Sequence, residues 1–201
     1  EMIRRIYPRY QELLRQSNGL DFDDLLLEVV HLLDQRPEVL ARYQERYQHL
    51  LVDEFQDTNT VQYAMLKLLS ARRHNIFAVG DEDQSIYKWR GADFRNIQRF
   101  REDNGRVTEI VLEQNYRSTQ TILDAARGVI DRNTHRTRKN LFTDRSGGAA
   151  LSIYEAYNQD DEAQYVVETI QKMIRSKEHT LADFAVFYRT NAQSRAIEDA
   201  F

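Results

Sequence analysis

The stretch that most constrains this chain is Leu50-Leu51-Val52-Asp53-Glu54-Phe55-Gln56-Asp57, an apolar run that ends abruptly in two adjacent carboxylates. Three aliphatic residues in a row, without polar alternation, read as a buried strand. A helical stretch follows at residues 59–71, with Val61, Met65, Leu66 and Leu69 on one side. A second apolar strand at 75–79 is ended by Gly80. Strand, helix and strand in this order imply a parallel pair with a crossover helix. A buried strand that delivers acids at its C-terminal tip is how an α/β protein holds a metal ion beside a triphosphate.

The rest of the chain continues the alternation. Residues 1–16 and 22–47 read as helices with spaced Leu, Val and Tyr; Asn18-Gly19 breaks the first, Asp21 is placed to cap the second, and Pro37 suits the first turn of a third. Further strands are expected at 106–112, 151–156 and 184–188, and further helices at 93–101, 118–130, 160–176 and from 192 onward. Residues 131–148, basic and polar with Gly147-Gly148, read as a loop or linker. The second block starts its own strand–helix pattern, so a domain change is expected between residues 112 and 148. Both chain ends read as helix interior, which suggests a piece of a longer protein.

With 201 residues, 41% hydrophobic and 30% charged, the composition is that of a globular protein with a real core. The absence of cysteine excludes disulfides and thiolate metal sites and is compatible with a reducing compartment. No apolar run approaches the length of a membrane span. The formal net charge of −4 argues against a dedicated nucleic-acid coat protein. Its distribution is uneven: residues 20–60 hold ten acids and three bases, whereas 84–106 hold six bases and three acids and 127–145 six bases and two acids. Charge runs of this kind are also what solvated faces look like.

Four groups of residues could carry chemistry. Asp53 at a strand tip can hold Mg²⁺ beside phosphate oxygens, and Glu54 can then polarise an attacking water as general base. Neighbouring strand residues point to opposite faces, so both serve one site only if the backbone turns there; a solvated acidic turn after a core strand is the alternative. In Gly80-Asp81-Glu82-Asp83-Gln84, the neutral amide of Gln84 can donate to a terminal phosphate and accept from water, which suits a reporter of that phosphate. Tyr87, Lys88, Trp89 and Arg90 interleave rings and cations as a single-strand platform requires, with core packing as the alternative for Trp89. In Gln114-Asn115-Tyr116-Arg117-Ser118-Thr119, Arg117 can bring positive charge to a phosphoryl group and Tyr116 can stack on a flat base, ahead of a helix capped by Ser118 or Thr119; a capping turn with a surface ion pair is the alternative. Finally, Tyr188-Arg189-Thr190-Asn191-Ala192-Gln193-Ser194-Arg195 is either a backbone-phosphate clamp or an ordinary helix N-cap. The five histidines are dispersed without ligand spacing, and no G-x-x-x-x-G-K-[ST] phosphate cradle occurs.

Taken together, the segments 52–58, 79–93, 112–119 and 188–195 resemble motifs II, III, IV and IVa of the UvrD/PcrA/Rep group of superfamily 1 DNA helicases, in order and across nearly the whole chain. Leu20-Asp21-Phe22-Asp23-Asp24-Leu25-Leu26 is similar to the segment preceding motif II in that group. The resemblance implies an α/β fold of the P-loop NTPase superfamily: RecA-like parallel sheets flanked by helices, in parts of two motor domains with ATP between them. Residues 1–20 would end an accessory helical domain, 21–112 would belong to the first motor domain and 113–201 to the second. It further implies Asp53 as the Mg²⁺-linked acid, Glu54 as the base and Gln84 as the γ-phosphate sensor. Tyr116 would pack on adenine and Arg117 would reach the γ-phosphate. Tyr87, Trp89, Arg90 and Asn191 would contact DNA.

The implied function is a fragment of an ATP-dependent helicase moving 3′ to 5′ on single-stranded DNA. Its partners would be single strands, single/double-strand junctions, the remainder of the helicase chain and repair proteins, in the bacterial cytoplasm or nucleoid. The group's motifs I, Ia, V and VI, and the large insertion of its second motor domain, are not in this sequence. Two other readings compete: a non-catalytic interaction module on a helicase-like scaffold, and a metal-dependent nuclease using Asp53, Glu54, Asp57 and Asp81.

Overall fold

β1 (Leu50–Val52) and β2 (Ile76–Ala78) pair in parallel, with Leu50 opposite Ile76, Leu51 opposite Phe77 and Val52 opposite Ala78. This is the central feature of the computed structural model of the chain, which describes residues 2–133 and 137–201. The crossover between the strands is α4 (Thr60–Ser70). Its start is fixed by a reciprocal cap, in which Gln62 N donates to Asn59 Oδ1 (2.8 Å) and Asn59 N donates to Gln62 Oε1 (2.9 Å). The ladder continues past both strand ends: Val79 N donates to Val52 O (2.8 Å) and Phe55 N to Val79 O (2.9 Å). The acidic residues after β1 and the Gly80 loop after β2 are therefore neighbours.

The chain divides into two units, Glu1–Ser146 and Gly147–Phe201. In the first, α1 (Met2–Gln16), α2 (Asp24–Gln35) and α3 (Pro37–Arg46) precede β1, and α2 packs on both α3 and α4. Asp21 does supply the expected capping bond, accepting from Asp24 N (2.8 Å), although the helix proper starts at Asp24. Asp24 returns the bond from Asp21 N (3.2 Å) and is itself buried, with Gln11 Nε2 donating to it (3.1 Å). The third helix expected at Pro37 is present: α2 ends at Gln35 and Pro37 opens α3 at its first turn.

Behind the strand tips, Phe55 meets Tyr63 and Phe100 edge-on, with ring centroids 6.1 and 5.4 Å apart. Tyr63 belongs to α4 and Phe100 to α5 (Arg95–Asn104). Asn96 of α5, fully buried, donates to Thr58 O (3.0 Å), Thr58 Oγ1 (3.2 Å) and Asn59 O (3.2 Å). The turn carrying the acids is thus locked from behind by one buried amide. α6 (Gln120–Ile130) completes the regular helices of this unit and buries Leu123.

In the second unit, α7 (Gln159–Arg175) buries Ala163, Val167 and Ile170 along one face and packs on α8 (Asn191–Ala200). Asn158 caps α7, accepting from Asp160 N and Asp161 N. Tyr154 stacks on Tyr165 with ring centroids 3.8 Å apart.

Residues 106–112, 151–156 and 184–188, expected as strands, form no strand among the described residues. The reason is physical: a strand is defined by a hydrogen-bonded neighbour, and none is available to them here. Most of their apolar side chains stand in solvent, Ile153 fully so and Phe187 at 93% exposure. Leu51 and Phe77, on one face of the β1–β2 pair, are likewise exposed.

Candidate active site

At the end of β1 the backbone turns sharply. Glu54 adopts the left-handed conformation (φ 47°, ψ 44°), which a non-glycine residue enters at a cost of roughly 1–3 kcal/mol and which clusters at functional sites. This turn removes the opposite-face problem of adjacent strand residues. Asp53 Oδ1 accepts from Glu54 N (2.9 Å), and both carboxylates are exposed at the strand tips.

Gln56 joins the two strand ends. Its side chain is buried; Nε2 donates to Glu54 Oε2 (2.7 Å) and Oε1 accepts from Asp81 N (3.0 Å). Asp81 Oδ2 in turn accepts from Gln84 Nε2 (2.8 Å), while Asp81 Oδ1 accepts from Asp83 N (3.0 Å). One continuous hydrogen-bonded path therefore runs from Glu54 through Gln56 and Asp81 to Gln84. Gly80 is needed for it: a Cβ there would lie 2.7 Å from Gln56 Oε1 and 3.2 Å from the Gln56 and Phe55 amide nitrogens.

Asp57 closes the turn from behind. Burial, and then the Glu54 charge, push its carboxyl above the usual carboxylate range. Its Oδ1 is buried without a hydrogen-bond partner among the described residues.

The acidic loop 80–84 is gripped by a distant segment. Lys139 Nζ forms an ion pair with Asp81 and reaches Asp83 Oδ2 at 3.2 Å, with the Lys139 side chain only 15% exposed. Thr137 donates from N (2.8 Å) and Oγ1 (3.2 Å) to Glu82. Burial pushes the Asp81 carboxyl up, but the hydrogen bonds from Lys139 and Gln84 and the Lys139 charge outweigh it and hold Asp81 below its ordinary range. The same segment continues to the Tyr116–Arg117 turn. Asn140 N donates to Glu113 Oε1 (2.8 Å), Phe142 N to Glu113 O (3.0 Å), Asn115 N to Phe142 O (2.7 Å) and Arg145 Nη1 to Arg117 O (2.6 Å).

Tyr116 is 76% exposed and donates to Gln114 Oε1 (2.8 Å). The Arg117 side chain is exposed and makes no hydrogen bond or ion pair with the described residues, so the surface ion pair weighed as the alternative is not made here. Neither Ser118 nor Thr119 caps α6 through its side chain. Thr119 occupies the N-cap position without that bond, and Asn115 instead folds back to accept from Arg117 N (3.0 Å) and Ser118 N (2.8 Å). The short amide reaches two residues on, as it does in an Asx turn.

Trp89 is 66% exposed and so is not packed into the core of this chain. Arg90 lies over both rings of the loop, its guanidinium carbon 4.6 Å from the Trp89 centroid and 5.4 Å from that of Tyr87. Gly91, with φ 87°, ends this short turn. Asn191 belongs to the second unit, where it opens α8 and is exposed; there Thr190 and Gln193 form the capping box, so the helix-cap reading of this segment is realised by its neighbours.

Sequence reasoning attached no role to Gln56 or Lys139. Their partners lie 25 and 58 residues away, and no local pattern announces such a bond. No group of three or more His, Asp or Glu side chains among the described residues could enclose a metal ion. Asp81, already neutralised by Lys139, is no free ligand for a nuclease-type cluster. A divalent cation at Asp53 would instead complete its shell with water and phosphate oxygens, the habit of Mg²⁺ and not of a caged ion. Asp53 suits that role.

Residues 1–105 match the UvrD/REP helicase N-terminal domain, and residues 110–201 match the UvrD-like helicase C-terminal domain. The chain is similar to proteins named ATP-dependent DNA helicase PcrA: 46% identical over 200 residues to that of Leuconostoc citreum, 48% over 201 residues to that of Staphylococcus epidermidis and 46% over 201 residues to that of Staphylococcus aureus. Each alignment takes in 100% of this chain and 27% of the relative, so the chain spans about a quarter of the length of these relatives.

Proposed function

The chain belongs to the UvrD-like helicase family, and on that premise we propose that it is the central portion of an ATP-dependent DNA helicase that moves 3′ to 5′ along single-stranded DNA. In this reading residues 21–112 form the C-terminal part of one RecA-like motor domain and 113–201 the N-terminal part of the next, with 1–20 closing an accessory helical domain. The unpaired apolar segments at 106–112, 151–156 and 184–188, and the exposed faces of Leu51 and Phe77, suit sheets completed by the remainder of a longer chain.

Asp53 would hold the Mg²⁺ that accompanies ATP, and that cation would screen phosphate charge and polarise the terminal phosphate. Glu54 accepts the proton of the attacking water; Gln56 occupies its Oε2 and orients the carboxylate. Gln84 donates its amide to the γ-phosphate, and Arg117 supplies positive charge there. Tyr116 offers its exposed ring to adenine. Tyr87, Trp89 and Arg90, three to six residues past Gln84 on the same loop, contact the single strand together with Asn191, so nucleotide state and DNA grip share one short segment.

The observation that carries this reading is the path from Glu54 through Gln56 and Asp81 to Gln84. It links the proposed base to the proposed sensor with no free rotor between them. The test is Glu54→Gln in the full-length protein. The expected result is loss of ATP turnover by about 10²-fold or more with single-strand affinity retained; turnover that survives the change would remove Glu54 from the role of base.

A further inference from the structure

The contact between Lys139 and the acidic loop has no counterpart in the functions assigned above. Asp81 is a branch point: its Oδ2 fixes the Gln84 amide (2.8 Å) and its Oδ1 takes the Lys139 ammonium. Lys139 also reaches Asp83 (3.2 Å), so one cation is shared by two carboxylates crowded within three residues. Side-chain exposure is low throughout, at 15% for Lys139, 26% for Asp81 and 12% for Asp83, so solvent screens the cluster weakly. Without the lysine, Asp81 would lose the charge that offsets its repulsion from Asp83 and one of the three contacts that orient its carboxylate toward Gln84.

We propose that Lys139 is a positioning residue for Gln84: through Asp81 it sets the orientation of that amide, and through the chain from 139 to 145 it ties the amide to the Tyr116–Arg117 turn. The inference rests on the reading of Gln84 as phosphate sensor. The physical link is short. Residue 140 bonds Glu113, residue 142 bonds Glu113 and Asn115, and residue 145 bonds Arg117, so movement of that turn pulls directly on Lys139. The sensor in one proposed motor domain is thereby held by a residue of the other.

The test uses the full-length protein with Lys139→Gln, which keeps a donor but no charge, Lys139→Arg, Gln84→Ala and the double variant Gln84→Ala/Lys139→Gln. Lys139→Gln is expected to lower kcat for DNA-stimulated ATP hydrolysis by about tenfold, with KM for ATP and nucleotide-free single-strand affinity little changed. Lys139→Arg is expected to restore most of kcat. In the Gln84→Ala background the lysine change is expected to add nothing, because both act through one amide. An additive loss in the double variant, or normal kcat in Lys139→Gln while Gln84→Ala is impaired, would overturn the positioning role. Unimpaired turnover in Gln84→Ala would instead overturn the sensor reading itself, so the two failures are distinct. A melting temperature lowered equally by Lys139→Gln with and without Gln84, accompanied by parallel loss of activity, would reduce Lys139 to a structural clamp and also overturn the proposal.

Discussion

Gln56 Nε2 donates to the Glu54 carboxylate at 2.7 Å while Gln56 Oε1 accepts from the Asp81 amide at 3.0 Å, so a single buried side chain spans the tips of two parallel strands. Its position explains two otherwise unrelated features. The carboxylate of Glu54, a residue with left-handed backbone, is tied into the turn by Gln56, and residue 80 is glycine because the amide oxygen of Gln56 occupies the space of a Cβ.

Gln56→Leu should therefore leave the part-buried Asp81 amide without an acceptor and the site without its buried amide bridge. Losing a buried partner costs about 1–3 kcal/mol, which for a domain of this size corresponds to a melting-temperature drop of a few degrees. Gly80→Ala should cost about as much by overpacking and lower ATP turnover as well, because it displaces the path to Gln84. Thermal melts of the full-length variants check both; wild-type stability in Gly80→Ala would mean that the close approach at Gln56 is relieved elsewhere.

Trp89→Ala should weaken single-stranded DNA binding by about 1–3 kcal/mol with an unchanged melting temperature, since the ring is 66% exposed. Fluorescence anisotropy with a labelled oligonucleotide measures the first and a thermal melt the second. A lowered melting temperature with unchanged affinity would return the ring to a packing role.

Asp93 gives a pH dependence of known sign. It is buried and holds Arg95 (2.7 Å) and Arg99 (3.1 Å), and the Arg95 hydrogen bond, against the opposing effect of burial, keeps its carboxyl below the ordinary range. A carboxyl depressed in the folded state adds stability that is fully present above the unfolded value of about 3.9 and is lost as pH falls through the folded value. The melting-temperature gap between wild type and Asp93→Asn should thus be constant above about pH 5 and close as the pH drops below about 4. A gap that widened on acidification would contradict this sign.

The isolated 201-residue chain should hydrolyse ATP only at background rate, with or without single-stranded DNA. It has the acids, the glutamine and Arg117, but no glycine-rich cradle for the phosphates. A coupled phosphate-release assay decides, and DNA-stimulated turnover by this chain alone would show that the cradle is dispensable.

The β1–α4–β2 crossover and the placement of Asp53 and Glu54 at a strand tip are legible in the sequence because each depends on neighbours within a few residues: an apolar run, an abrupt change to acid, the helical spacing of Val61, Met65, Leu66 and Leu69. The Asx turn at Asn115 takes the place of the expected Ser118 or Thr119 cap because Asn115, Ser118 and Thr119, all within five residues, can each supply the oxygen and only backbone geometry chooses. Residues 106–112 and 184–188 have strand-like patterns, yet pattern reports local preference and not the presence of a partner to pair with. Lys139 sat in a stretch read as a basic linker. Its importance comes from Asp81 and Asp83, more than fifty residues earlier, which only the folded chain brings to it.

The Arg90 guanidinium rests against the faces of both Tyr87 and Trp89. A guanidinium stacked on a ring keeps its N–H edge free, so one cation can brace two rings and still present donors outward. Under the proposed DNA contact, Arg90→Ala should therefore disturb the placing of both rings as well as remove a charge.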